Sequence, residues 1–407
     1  RVCQAQFAFQ PKEGELAAAA RLAARTGPWA LVWERFAEAP ARYPNIPAQI
    51  RRCSPPVFDM LTDAATAGGW PQWNDAREAD LRASLQTLSQ QAPHDARATL
   101  RRLERDHRQR RDLVWATLGE APLALAMEPL ARLAEATGQS LETGTVEDMQ
   151  TVYVTTGWQA DDAVLRALEH ATSADSLAAI SAAIRSVYLP WMMDGARRLQ
   201  ALVSASKSPG GVREGKPPAY VARNQCVMFV DGLRFDLGRR LAEMLGANGL
   251  EVAEHPTWTA LPSVTATGKA AVAPVAERFA GQPGAEDFVP AIAATGAALT
   301  TQQLRKALAD AGWQVLTGSE VGVPGGQAWC EFGDIDQEGH TRGWKLALHA
   351  QSLLVEIAER VSALLAAGWD QVRVVTDHGW LLLPGNLPRV DLPKALATTK
   401  WGRCAVL

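Results

Sequence analysis

The chain has 407 residues, 47% of them apolar and 21% charged, which is enough to bury a large core and more than one domain comfortably holds. Its 41 basic and 44 acidic residues leave a formal net charge of −3, so no overall positive field recruits nucleic acid. The five cysteines are odd in number and widely spaced, with no Cys-x-x-Cys pair, which excludes a disulfide framework and a zinc knuckle. No apolar stretch reaches the about 20 residues that span a bilayer, and the N-terminus shows no secretory leader, so a reducing cytoplasmic setting is expected. The start at Arg1 and the stop at Leu407 read as the ends of a fragment.

The first half predicts helices. Segments 16–25, 76–91, 96–118, 122–137 and 160–202 are rich in Ala, Leu, Arg and Glu with apolar residues at helical spacing. The basic run Arg101, Arg102, Arg105, Arg108, Arg110 and Arg111 is interleaved with acids and reads as a solvated helix face. Residues 206–219 are Pro- and Gly-rich without apolar periodicity and read as a linker. The expected division is therefore an α-helical region over 1–205, a linker over 206–219 and a second domain over 220–407.

Past the linker the pattern alternates. Strand 225–230 leads to helix 237–245, strand 250–254 to a loop and a helix near 266–272, helix 302–311 to strand 314–316, and helix 346–366 to strand 371–376. Such alternation predicts a parallel α/β sheet with helices on both faces and a site outside the carboxyl ends of the strands.

Two of the predicted strands end in acids. The run from Gln225 to Val230 delivers Asp231, followed by Gly232-Leu233-Arg234-Phe235-Asp236, and the run from Val372 to Val375 delivers Thr376-Asp377-His378-Gly379. Alone, an Asp–His pair is more often a capping Asp beside a hydrogen-bonded His. With a second acid at the same sheet edge, a metal site becomes the better reading. Between them, Ser263 and Thr265 precede the Ala-rich run around Lys269, as hydroxyls at a helix N-terminus where phosphate is favoured. Capping is the commoner role of such a hydroxyl, and Ser263 fits it. In Asp334-Ile335-Asp336-Gln337-Glu338-Gly339-His340 a flexible Gly lets a loop bring Asp336 and His340 to one ion, a solvated acidic loop being the equal alternative.

Taken in order, these elements resemble the alkaline phosphatase superfamily of two-metal phosphoryl-transfer enzymes. The stretches VDGLRFD, LPSVTATGKAA and VTDHGWLLLPGNLP resemble the PglZ domain, and most nearly the type B domain of type 1 bacteriophage exclusion (BREX) systems. The resemblance covers about Val221 to Leu407. It implies an alkaline-phosphatase-like fold preceded by the all-α region, and a phosphatase or phosphodiesterase using two divalent ions, zinc first and manganese or magnesium next. Asp231, Asp377 and His378 would hold one ion, and Asp336 and His340 the other.

Thr265 would be the nucleophile, preferred to Ser263 because superfamily members often carry a basic residue four positions later, here Lys269. Lys269, Arg234 and Ser263 would face phosphate oxygens. The pattern departs in one place: no His follows His378 to complete the second ion's shell, so the ligand lies past Leu407, or His255 or His349 replaces it, or that site is weak. The implied partners are other defence components, a methyltransferase and an ATPase, with no membrane; the substrate is a phosphate ester, either a nucleotide or nucleic-acid diester or a phosphoprotein or phospho-metabolite monoester. A catalytically inactive scaffold for those components is the alternative.

Overall fold

The computed structural model describes residues 6–7, 12, 14–58, 64–205, 220, 222–282, 288–385, 387, 398–400 and 404–406. The chain forms two compact units, Arg1–Ser140 with Gln159–Asp194 and Leu141–Trp158 with Gly195–Leu407. The expected linker 206–219 lies outside the described residues. Among the described residues, no helix is long and apolar enough to cross a membrane.

The first unit is helical. Three of its helices, Pro71–Thr87, Pro93–His107 and Pro122–Ala136, open on proline, whose fixed φ and missing N–H suit the first helical position. Segment 96–118 is not one helix: it stops at His107, passes through a 3₁₀ turn over Arg108–Asp112 and resumes at Val114–Thr117. Segment 160–202 also divides, between Trp158–Leu168 and Ala174–Ala205. Ser173 and Ser176 restart the helix there by exchanging backbone N–H and hydroxyl bonds of 2.9 and 3.1 Å. Trp29, Trp33, Phe36, Trp70, Trp73 and Trp115 form an aromatic core.

Arg110, read from sequence as part of a solvated face, is instead buried. Its Nη2 donates to Glu78 Oε1 at 2.9 Å and to Asn74 Oδ1 at 2.6 Å. Glu78 also accepts the backbone N–H groups of Leu123 and Ala124 at 3.1 and 3.2 Å, so one carboxylate neutralises a guanidinium and satisfies a helix N-terminus. The bend after His107 turns Arg110 inward and defeats the helical-wheel reading of that run.

The second unit carries a four-stranded parallel sheet. Its elements are β1 (Gln225–Phe229), α1 (Phe235–Ala247), α2 (Thr265–Val272), α3 (Thr301–Asp310), β2 (Gln314–Leu316), β3 (Gln327–Glu331), α4 (Ile335–Arg342), α5 (Ala350–Ala366) and β4 (Gln371–Val375). The strand order is β2-β3-β1-β4, so β1 is central and its neighbours arrive later from either side. Such a switch point opens a crevice at the carboxyl ends of the strands. Every residue of β1 is buried, as a central parallel strand requires. Val227, Phe229 and Trp329 pack with Leu304 and Leu308 of α3 and with Trp313. Val230 and Ile357 of α5 meet around Gly333, where each would lie 3.3 Å from an added β-carbon.

The segment 250–254, expected as a strand, is an exposed irregular stretch, with Val252 41% exposed and Glu254 bonded to Arg239 of α1. Its apolar residues gain no buried face, so β-propensity has nothing to act on. Among the elements new relative to the sequence reading, two bear on the site. β3 lies beside β1, and the supposed acidic loop 334–340 is helix α4, whose first-turn Asp336 and Glu338 suit the positive end of the helix dipole.

Candidate metal centre

Strand register sets the heart of the site. Phe229 of β1 is level with Val375 of β4, and Val230 N–H donates to Val375 O at 2.9 Å. Asp231 and Asp377, each two residues further on, therefore leave neighbouring strands side by side. Gly232 turns the chain at φ +65°, and a β-carbon there would stand 2.9 Å from Asp336 Cβ, so the bare residue lets α4 close on the strand end. Thr376 Oγ1 accepts Leu233 N–H at 3.0 Å and ties the two turns together.

Helix α2 closes the other side. A β-carbon at Gly268 would stand 2.6 Å from the Asp377 carbonyl oxygen, a contact that only glycine allows. Thr265, at the first position of α2, is thereby brought 2.9 Å from His378 Nε2 and 3.3 Å from Asp231 Oδ1. Thr259, from the preceding loop, donates its hydroxyl to Asp377 O.

His378 is oriented by its own loop. Nδ1 lies 3.0 Å from Gly379 O, and since a carbonyl only accepts, Nδ1 carries a proton and Nε2 is the nitrogen turned to the cluster. Around Nε2 stand Asp231 Oδ1 at 3.6 Å, Asp377 Oδ2 at 3.7 Å and Asp336 Oδ1 at 4.0 Å. Donor atoms of Asp231, Asp336 and His378 all lie within 4.8 Å of one another. Asp377, 1% exposed, spends Oδ1 on Gly232 N–H at 3.1 Å and His378 N–H at 2.9 Å, while buried Oδ2 has no hydrogen-bond partner. A buried carboxylate oxygen left without a hydrogen bond beside two more acids is a costly arrangement that a cation relieves. Oxygen and imidazole donors at this spacing fit a divalent ion.

His340 reaches this group through Asp336: the i,i+4 spacing on α4 places its Nε2 3.3 Å from Asp336 Oδ2. His255 is exposed and His349 half-buried, and among the described residues both lie outside the cluster; His349 Nε2 lies 3.4 Å from Arg342 Nη1. Ser263 is exposed, Val264 holds the N-cap position of α2, and no side chain caps that helix, so the capping role read for Ser263 is not realised.

The two cations expected at the phosphate are each paired with an acid. Lys269 Nζ donates to Glu331 Oε2 at 2.8 Å and lies 4.8 Å from the Phe229 ring centroid. Arg234 donates to both Asp236 oxygens at 2.5 and 2.7 Å and lies 4.1 Å from the Trp380 ring centroid. Glu331, at the end of the unforeseen β3, is a site residue that the sequence reading missed, and its run Gln327-Ala328-Trp329-Cys330 carries no β-branched residue to signal a strand. Burial works to raise the Glu331 pKa, but the bond and charge of Lys269 overcome it and hold the carboxyl below its usual range. Beside the cluster a cleft of about 440 Å³ is lined by Asp231, Lys269, Glu331, Phe332, Asp334 and Glu356.

Asp231 is pushed up to about 6, first by burial and then by the charges of Asp377 and Asp336, against the opposing pull of His378 and the Thr265 hydroxyl. A hydroxyl beside an imidazole nitrogen and a carboxylate, on a cluster that favours added positive charge, can act as a nucleophile toward an anionic ester. In comparisons with known proteins the chain matches no family model, no curated protein and no solved structure.

Proposed function

We propose that the chain is a divalent-metal-dependent phosphoryl-transfer hydrolase of the alkaline phosphatase type, similar to the PglZ domain and acting on phosphodiesters. The observation that carries this reading is the buried, unpartnered Asp377 Oδ2 facing His378 Nε2 at 3.7 Å, with Asp231 and Asp336 around the same nitrogen. Asp231, Asp336, Asp377 and His378 would hold the cation, with His340 beside Asp336 as a donor toward a second. Zinc suits the mix of oxygen and imidazole, manganese or magnesium coming next. When bound, such ions polarise phosphoryl oxygens and ease ionisation of a hydroxyl.

Thr265 Oγ1 is the attacking oxygen. It forms a bond to phosphorus as the ester O–P bond breaks and the alcohol leaves, and water then hydrolyses the phosphothreonine. With His378 Nε2 turned to the cation, the acceptor in reach of the Thr265 proton is Asp231 Oδ1 at 3.3 Å. Arg234 is paired with Asp236, and Lys269 and Arg305 share the one carboxylate of Glu331 at 2.8 and 3.5 Å, so a single cation is left unbalanced there, which favours the one charge of a diester over the two of a monoester. The setting in phage exclusion, with a methyltransferase and an ATPase as partners, is proposed on the resemblance alone.

The test is hydrolysis of bis-p-nitrophenyl phosphate and p-nitrophenyl phosphate with added zinc or manganese, before and after chelation. Diester hydrolysis that exceeds monoester hydrolysis and disappears on chelation is expected. Hydrolysis of neither ester by metal-loaded protein would overturn the reading and leave the scaffold alternative.

A further inference from the structure

Arg234 and Asp236 form a buried ion pair, 4% and 0% exposed, whose two bonds fix the guanidinium plane. A buried pair of this kind adds little net stability over apolar residues of similar size, so its effect is best read from what it positions. It positions Trp380. The Arg234 guanidinium carbon lies 4.1 Å from the indole centroid, a cation–π contact that occupies one ring face. The indole Nε1–H donates to Gly232 O at 2.7 Å, which fixes the ring's rotation.

This doubly anchored ring is itself only half-buried, and it is flanked by exposed Gly379 and by Leu381, 40% exposed. Both anchors belong to the metal cluster's own loops: Gly232 follows Asp231, and Trp380 stands two residues after His378. A Trp held by a buried charge and a backbone carbonyl, yet left open toward solvent, is a preorganised aromatic surface.

We propose that Trp380 is a stacking platform for the base of a nucleoside phosphate whose phosphate lies on the Asp231–His378 cluster. The proposal rests on the phosphoryl-transfer reading and narrows its substrate class to nucleotide esters. Stacking on one aromatic face is sequence-tolerant, because every base presents a π-face. The cation behind the indole draws electron density from it and suits an electron-rich purine in front.

The test compares equilibrium binding of AMP and ribose 5-phosphate, each as its phosphate methyl ester so that the probe is a diester, to the zinc-loaded chain; the two share the phosphate and differ in the base. Wild type should bind the AMP ester roughly tenfold or more tightly than the ribose 5-phosphate ester, the range that base–aromatic stacking supplies. Trp380→Phe should keep most of that ratio and Trp380→Leu should bring it close to one. Both variants lose the bond to Gly232, so a merely structural role would move the ratio alike in both. Equal affinities in wild type, or equal effects of the two substitutions, would overturn the platform. If the ribose 5-phosphate ester binds and the AMP ester binds no better, the platform alone falls; if neither binds, the phosphate site falls with it.

Discussion

Gly268 and Asp377 touch more closely than any other residue at position 268 permits: an added β-carbon would meet the Asp377 carbonyl oxygen at 2.6 Å and its Cβ at 2.8 Å. The backbone of one metal-cluster residue is thus the packing surface for the helix that presents Thr265. Gly268→Ala should destabilise the chain by roughly 1–3 kcal/mol, the usual range for overpacking, and weaken zinc binding at least tenfold. Urea midpoints and a zinc titration check this. Wild-type behaviour in both would mean that α2 does not close on the Asp377 turn.

Hydroxyl chemistry separates Thr265 from Ser263. Thr265→Val deletes the oxygen nearest His378 Nε2 while nearly keeping the volume, so it should remove hydrolysis by about 10³-fold or more and leave zinc binding largely intact. Ser263 is exposed and caps nothing, so Ser263→Ala should change stability by no more than about 0.5 kcal/mol. Steady-state rates and thermal unfolding of the two variants measure the contrast, and loss of activity in Ser263→Ala alone would transfer the role.

How much of this was legible in the sequence depends on what each signal encodes. The β-branched run before Asp377 and the apolar run before Asp231 mark strands whose ends carry acids, and register then does the rest, which is why that pair could be anticipated. Helix α4 could not be seen, because an acidic, Gly-containing segment looks like a loop until its acids are placed at a helix N-terminus. The 250–254 segment has strand-like residues but no sheet neighbour, and Arg110 looks solvated until the break at His107 is known. Gly268, Gly232 and Trp380 act through tertiary contacts between segments far apart in the chain, which local pattern does not carry.

Acid sensitivity of the site follows from Asp231, raised from an ordinary 3.8 to about 6. A raised carboxyl pKa means that the fold favours the protonated form. Its contribution to the stability of metal-free protein is complete below pH 4 and is lost as pH rises through about 6. In chelator, the difference in urea midpoint between wild type and Asp231→Asn should change over that window in this direction. Zinc affinity should rise over the same window, because the ligand must be ionised. A difference that does not vary with pH would contradict the crowding of carboxylates described here.

The helical unit has an opposite pH signature. His107, 3% exposed and 3.1 Å from Arg110 Nη1, is lowered from 6.5 to about 3, first by burial and then by the charge of Arg110. A lowered imidazole pKa means that the fold holds the neutral form, so its contribution is present above pH 6.5 and is lost as pH falls toward 3. The slope is at most about 1.4 kcal/mol per pH unit for one proton. His107→Gln should flatten the acid limb of thermal stability between pH 6.5 and 4. An unchanged limb would show that His107 does not contribute to it.

On the reading proposed above, Asp377 Oδ2 and its neighbours form a cation site. Zinc titration of the chelator-treated chain and of Asp377→Asn by calorimetry tests it most directly, because no substrate or activity is needed. Saturable binding by the wild type is expected, with a loss of at least about 100-fold in affinity for Asp377→Asn and the fold retained by circular dichroism. Absence of saturable binding by the wild type, or equal affinity in the variant, would contradict it.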